Sequence, residues 1–142
     1  MTEIAFHFNA PDKVAYACRL LRKAVASGAK LVVTGESQLL RRLDQELWTF
    51  APLEFLPHSL AAGDTRTVVA SPVLLSEQLE ELPHSQVLVN LGEQVPRGFE
   101  RFERLIEVVS LDEADRQQAR GRWKHYVERG YAIVRHDLNL KA

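Results

Sequence analysis

Ile4, Phe6 and Phe8 alternate with smaller or polar residues, the period-two pattern of a strand with one buried face, and they predict a first strand ending near Asn9. Pro11 and Asp12 then open a helix. Across Lys13 to Ser27, Val14, Cys18, Leu21 and Val25 form one apolar helical stripe, the other face carries Arg19, Arg22 and Lys23, and Gly28 supplies a C-terminal cap. Lys30 to Thr34 is a short continuous apolar run of the kind a buried parallel strand shows, and Gly35 leads into a second helix through about Trp48.

After Trp48, Pro52, Pro57 and Gly63 interrupt the pattern, with short strands expected at Leu53 to Leu56 and within Thr67 to Leu75. Gln86 to Leu91 and Arg104 to Ser110 read as further strands separated by a turn region from Pro96 to Phe102. The last helix follows directly. Ser110 or Asp112 can cap it, Glu113 and Asp115 suit its positive N-terminal end, and Gly130 stops it. Alternating strands and helices predict a three-layer α/β sandwich around a mostly parallel central sheet, Rossmann-like in order, in a single domain over 1–142.

Composition narrows the function. The 142 residues are 46% hydrophobic, enough for one core, and 18 Lys and Arg nearly balance 19 Asp and Glu, so any electrostatic attraction must come from local patches. Cys18 is the one cysteine, which excludes an internal disulfide, fits a reducing compartment, and falls in the helical stripe where packing is its expected role. No run approaches the ~20 apolar residues needed to span a bilayer, and the start, MTEIAFHFNAPDK, lacks the pattern of a signal peptide. The expectation is a cytoplasmic protein with no membrane contact.

Familiar site chemistry is missing from the loops. Thr34-Gly35-Glu36-Ser37 and Asn90-Leu91-Gly92-Glu93 each carry one glycine and an acid, whereas a phosphate cradle needs several backbone N–H groups exposed by closely spaced glycines. The Rossmann-like order therefore comes without a nucleotide-binding loop. His7, His58, His84, His125 and His136 are scattered without the close helical pairing of a zinc site, and no Gly-x-Ser-x-Gly turn presents a nucleophile. No catalytic, cofactor or metal residue is assigned.

Two segments carry candidate binding chemistry. On the last helix Arg116, Arg120 and Lys124 cover a narrow arc with Trp123 at its edge beside Ala119 and Tyr126. This arrangement is either a solvated face with an inward Trp, a pocket where cations pair the carboxylates of an acidic peptide while the aromatic takes an apolar side chain, or a Trp that stacks a nucleic-acid base. The second segment runs from Arg42 through Trp48 to Phe50, then Phe55, Leu56, Pro57, His58 and Leu60; its large apolar groups form either core or an exposed patch for a partner.

Taken together, the segments RLDQELW (42–48), FLPHSL (55–60), VLVNLG (87–92), RFERLIEVVS (101–110) and DEADRQQARGRWKHYVERGY (112–131) resemble the chi subunit family of bacterial DNA polymerase III over nearly the whole chain. That resemblance implies a non-catalytic adaptor in DNA replication, without cofactors, inside an assembly with DNA-directed DNA polymerase activity. It implies two partners, the psi subunit of the clamp loader and the acidic, phenylalanine-terminated tail of single-stranded DNA-binding protein, with DNA reached only indirectly and a repair helicase as a further partner of the aromatic face. The family's tail-binding positions fall on Arg116, Arg120, Trp123 and Lys124, and its psi-facing surface on Trp48 and Phe55, extended to Leu43, Pro57, His58 and Leu60. The stretches Ala61 to Ser85 and Ala132 to Ala142 depart from the family pattern, so the resemblance does not define the far wall of the tail site. The alternatives are a Rossmann-like nucleotide-binding enzyme and a direct binder of single-stranded DNA.

Overall fold

The computed structural model describes residues 1–49, 58–60, 72–80 and 82–140. Strands and helices alternate as β1 (Glu3–Ala10), α1 (Lys13–Ala26), β2 (Leu31–Thr34), α2 (Ser37–Thr49), β3 (His58–Leu60), β4 (Val73–Leu75), β5 (Val87–Asn90), β6 (Arg104–Ser110), α3 (Glu113–Glu128) and β7 (Ile133–Asp137). Short 3-10 turns lie at Phe99–Arg101 and Leu138–Leu140.

Local chemistry sets the helix ends. The Asp12 carboxylate accepts the Val14 and Ala15 N–H groups at the start of α1, and the Asp112 carboxylate accepts the Asp115 N–H at the start of α3. At the far ends Gly28 and Gly130 take φ of 88° and 82°, left-handed values that a Cβ would strain. The Ala15 N–H and the Arg42 guanidinium outweigh the partial burial of Asp12 and hold its carboxyl below the usual range.

The strands form one seven-stranded sheet in the order β3-β4-β2-β5-β6-β1-β7, and every pairing among the described strands is parallel. Because successive strand side chains point to opposite faces, each strand feeds two cores. On one face Leu31, Val33, Val89, Ile106 and Val108 meet Val14, Cys18, Leu21, Leu40, Leu43 and Leu47 of α1 and α2. On the other, Ile4, Phe6, Val32, Leu88 and Leu105 meet Ala119 and Tyr126 of α3 together with Phe99 and Phe102. The result is a three-layer α/β sandwich. Cys18 is buried in the first core, and its burial pushes the thiol up to about 11, which keeps it protonated and in packing use.

Two sequence expectations change, and one falls beyond what is described. The strand expected at Leu53 to Leu56 lies outside the described residues, while a strand is present at His58–Leu60. The tail contributes β7, an edge strand that the pattern of apolar residues did not announce, paired along β1 from Ile4↔Ile133 to Phe8↔Asp137. Leu43, expected on a partner surface, is fully buried in the core beneath α2, so its side chain holds the helix on the sheet and is closed to a partner. Among the described residues no helix is long and apolar enough to cross a membrane.

Candidate functional site

The end of β1 is irregular in a way that opens space. The register with β6 shifts between His7 and Ala10, and Asn9 takes φ of 67°, a left-handed conformation that asparagine tolerates better than most residues. The Asn9 side-chain amide donates to the Asp137 carboxylate at 2.8 Å, which ties the bulge of β1 to the end of β7. Above this bulge α3 crosses the sheet, and between them lies a cleft of about 360 Å³.

Four elements line it. β1 gives Phe6, Phe8 and Asn9; β6 gives Val109 and Ser110; α3 gives Arg116, Ala119, Arg120 and Trp123; and β7 gives Arg135. The floor is apolar. Phe6 and Trp123 meet at 5.1 Å between ring centroids with planes at 60°, a tilted aromatic contact that fixes the half-buried indole. The Arg135 guanidinium lies over the Trp123 ring, 6.0 Å from its centroid. Arg116 and Arg120 stand at the α3 rim and share one carboxylate, Glu113, at 3.9 and 3.6 Å. The site can thus seat one apolar side chain among three guanidiniums, a combination suited to an acidic peptide with an apolar anchor.

Of the four residues expected here, Arg116, Arg120 and Trp123 converge on the cleft, while Lys124 does not line it. The Lys124 side chain is 77% exposed and reaches Glu128 at 3.9 Å. Sequence reasoning missed Arg135, Asn9 and the two phenylalanines. Phe6 and Phe8 were visible as alternating strand residues, and a large aromatic at the end of a strand is the signal that would have marked Phe8. Arg135 had no signal, because only the pairing of β7 with β1 brings it opposite α3.

A second omission is structural. Glu107, in the middle of β6, is fully buried with Arg122 of α3 2% exposed beside it. Its Oε1 accepts the Arg122 Nε–H at 3.1 Å and the Asn90 side-chain amide at 2.9 Å, and its Oε2 accepts the Tyr126 hydroxyl at 2.6 Å. Arg122 also donates to the Glu93 carbonyl, while its Nη2 has no hydrogen-bond partner among the described residues. Burial pushes the Glu107 carboxyl up, against the pull of Arg122, Tyr126 and Asn90 toward the carboxylate. This network fixes the rotation of α3 about its axis, and with it the direction in which Arg116, Arg120 and Trp123 point. The clue in the sequence was an acid inside an apolar strand, which needs an interior partner.

The aromatic segment is described only in part. Trp48, near the end of α2, is 56% exposed. His58 and Leu60 sit on β3, opposite Val73 and Leu75 of β4. Phe55 and Pro57 lie outside the described residues. The two loops compared above with phosphate cradles close on each other: a Cβ on Gly92 would stand 3.2 Å from the Gly35 Cα. Two backbone donors of the second loop are engaged as well, since the Gly92 N–H meets the Asn90 side chain and the Leu91 N–H meets the Thr34 carbonyl. At this point the two loops leave no room for a side chain, let alone a phosphate, between Gly35 and Gly92.

Residues 1–134 match the family model described as DNA polymerase III chi subunit, HolC. The chain is 36% identical over 145 residues to the DNA polymerase III subunit chi of Pseudomonas aeruginosa, covering 97% of this chain and 98% of that protein. It is 31% identical over 119 residues to the subunit of the same name from Haemophilus influenzae, covering 82% of this chain and 81% of that protein.

Proposed function

The chain belongs to the DNA polymerase III chi subunit family, a family of replication accessory subunits, and from that membership we propose that it is a non-catalytic adaptor. It links the clamp loader, through the psi subunit, to the acidic C-terminal tail of single-stranded DNA-binding protein. The observation that carries this reading is the cleft in which an apolar floor of Phe6, Phe8 and Trp123 is rimmed by Arg116, Arg120 and Arg135.

The magnitudes define what kind of contact this is. Burying a phenylalanine side chain contributes ~1.5–3 kcal/mol, and exposed ion pairs add ~0.2–1 kcal/mol each. The affinity is therefore modest, on the order of micromolar or weaker, and falls as salt rises. Calorimetric titration with an acidic peptide ending in phenylalanine tests it. Binding is expected to weaken in Arg120→Ala and on deletion of the terminal phenylalanine; unchanged affinity in both cases removes the cleft from the function. Single-stranded DNA that fails to compete with the peptide separates this reading from direct DNA binding.

The psi contact uses the segment from Trp48 to Leu60. The exposed Trp48 indole supports it, since a large exposed apolar group beside further aromatics in sequence suits a mainly hydrophobic, salt-resistant interface. A repair helicase using the same aromatics would compete with psi. Co-purification of psi is expected to be lost with Phe55→Asp and weakened with Trp48→Ala; retention in both variants overturns the assignment.

A further inference from the structure

The three guanidiniums around the cleft are not equivalent. Arg116 and Arg120 approach from α3 and already share Glu113. Arg135 approaches from β7, is held by its contact with the Trp123 ring, and has no carboxylate within ion-pair distance among the described residues. Asp137, the acid two residues further along the same strand, makes no ion pair with Arg135 among the described residues; its Oδ1 accepts the Asn9 amide at 2.8 Å and the Asn139 N–H at 3.0 Å, on the side of the β1 bulge. A placed and unopposed cation gains most from an incoming carboxylate, whereas Arg116 and Arg120 must first give up Glu113.

The positions of these charges also constrain the ligand. Cations flank the apolar floor from two walls, α3 on one side and β7 on the other. An apolar side chain in the middle of a peptide continues as neutral backbone in both directions. The last residue of a chain instead carries its own α-carboxylate, and acidic residues before it place negative charge on the other side.

The geometry points to Arg135 as the residue that selects a free C-terminus. With the terminal apolar side chain seated against Phe6, Phe8 and Trp123, the α-carboxylate pairs with Arg135, and the preceding acidic side chains pair with Arg116 and Arg120. This rests on the cleft being the acidic-tail site, and it adds which wall reads the terminus and why an internal apolar residue binds less well.

The test uses the full chain and two probes, an acidic peptide ending in phenylalanine with a free carboxylate and the same peptide amidated at its C-terminus. In the unmodified protein amidation is expected to weaken binding by about two- to fivefold, as for loss of one exposed ion pair. In Arg135→Ala and Arg135→Gln the free peptide binds about as weakly as the amide, so the difference between probes collapses. In Arg120→Ala both probes bind less well and the difference between them remains. Full discrimination in both Arg135 variants overturns the assignment while leaving the cleft as the tail site. Failure of the unmodified protein to bind either probe overturns the assignment together with the reading of the cleft.

Discussion

Replacing Tyr126 with phenylalanine removes one hydroxyl from the interior and leaves the ring in its contacts with Phe6 and Phe99, at 6.1 and 5.3 Å between centroids. The Glu107 Oε2 atom then loses its hydrogen bond of 2.6 Å, while Oε1 keeps Arg122 and Asn90. Hydrogen bonds to a charged group contribute ~1.5–3 kcal/mol, and a buried acceptor left unsatisfied carries its desolvation cost. The space of one hydroxyl is too small for a replacing water, so the cost stays near ~2–3 kcal/mol. At ~2–4 °C per kcal/mol for a chain near this size, the midpoint of thermal unfolding should fall by about 5–10 °C.

The same substitution has a pH signature. Burial already pushes the Glu107 carboxyl up, and removing a donor to its carboxylate pushes it further. A carboxyl whose folded pKa is raised favours the folded state when protonated, and that contribution is lost as pH rises through the folded value. The destabilisation should therefore be larger at pH 7.5 than at pH 4.5. Urea unfolding at both values measures it, with the slope against denaturant checked for constancy. A loss below ~0.5 kcal/mol at pH 7.5, within the range of ordinary surface substitutions, or a loss equal at the two pH values, would show that Oε2 does not depend on the tyrosine.

Other outcomes follow from the same structure. Leu43→Ala should lower stability by ~2–5 kcal/mol in denaturant titration, as for a buried leucine whose cavity does not collapse, whereas Leu43→Met should leave psi co-purification intact, because this side chain packs inward. Burial opposes ionisation of Asp115, but hydrogen bonds from Lys13 and the Ser110 N–H outweigh it and lower its pKa. Its stabilising contribution is thus present above the ordinary value of 3.8 and lost as pH falls through the lowered one, so Asp115→Asn should be less stable at neutral pH and flatten the acid limb of the stability curve. Glu113→Gln frees both α3 arginines and should tighten an acidic peptide about two- to fourfold at low salt, an effect that a salt titration should erase.

Much of the fold was legible because its signals are local. β6 spans Arg104–Ser110 as expected, since a compact apolar run between turns has few other solutions, and α1 and α3 start at Asp12 and Asp112 because those carboxylates cap them. β7 was hidden for the opposite reason. Ile133–Asp137 is an edge strand with partly exposed positions, and Arg135 and His136 break any apolar alternation. Arg116, Arg120 and Trp123 were legible because helical spacing alone gathers them. Their partners Phe8, Asn9 and Arg135 come together only through pairing between β1 and β7, at opposite ends of the chain. Helical periodicity put Lys124 with its neighbours although that side chain leaves the cleft, and the resemblance extended the partner surface to Leu43, which packing of α2 fixes inside.

The order of strands gives the two proposed contacts their independence. The cleft lies on the α3 face at the β1–β7 edge, while α2, which carries Trp48, covers the other face and packs near β3 at the opposite edge. Six strand spacings of ~4.8 Å separate β3 from β7, roughly 29 Å across the sheet. The screening length at physiological salt is ~8 Å, so the charge of a tail bound at Arg135 is almost entirely screened before it reaches Trp48. Coupling would then have to pass through movement of the packed core, and Glu107 resists that by tying α3 to β6 and to Asn90 of β5, whose side-chain amide also donates to the Gln94 carbonyl in the following loop. The tail and psi should therefore bind with additive free energies. Added salt should weaken the first contact and spare the second, and a psi-bound protein should titrate tail peptide with the affinity of the free chain.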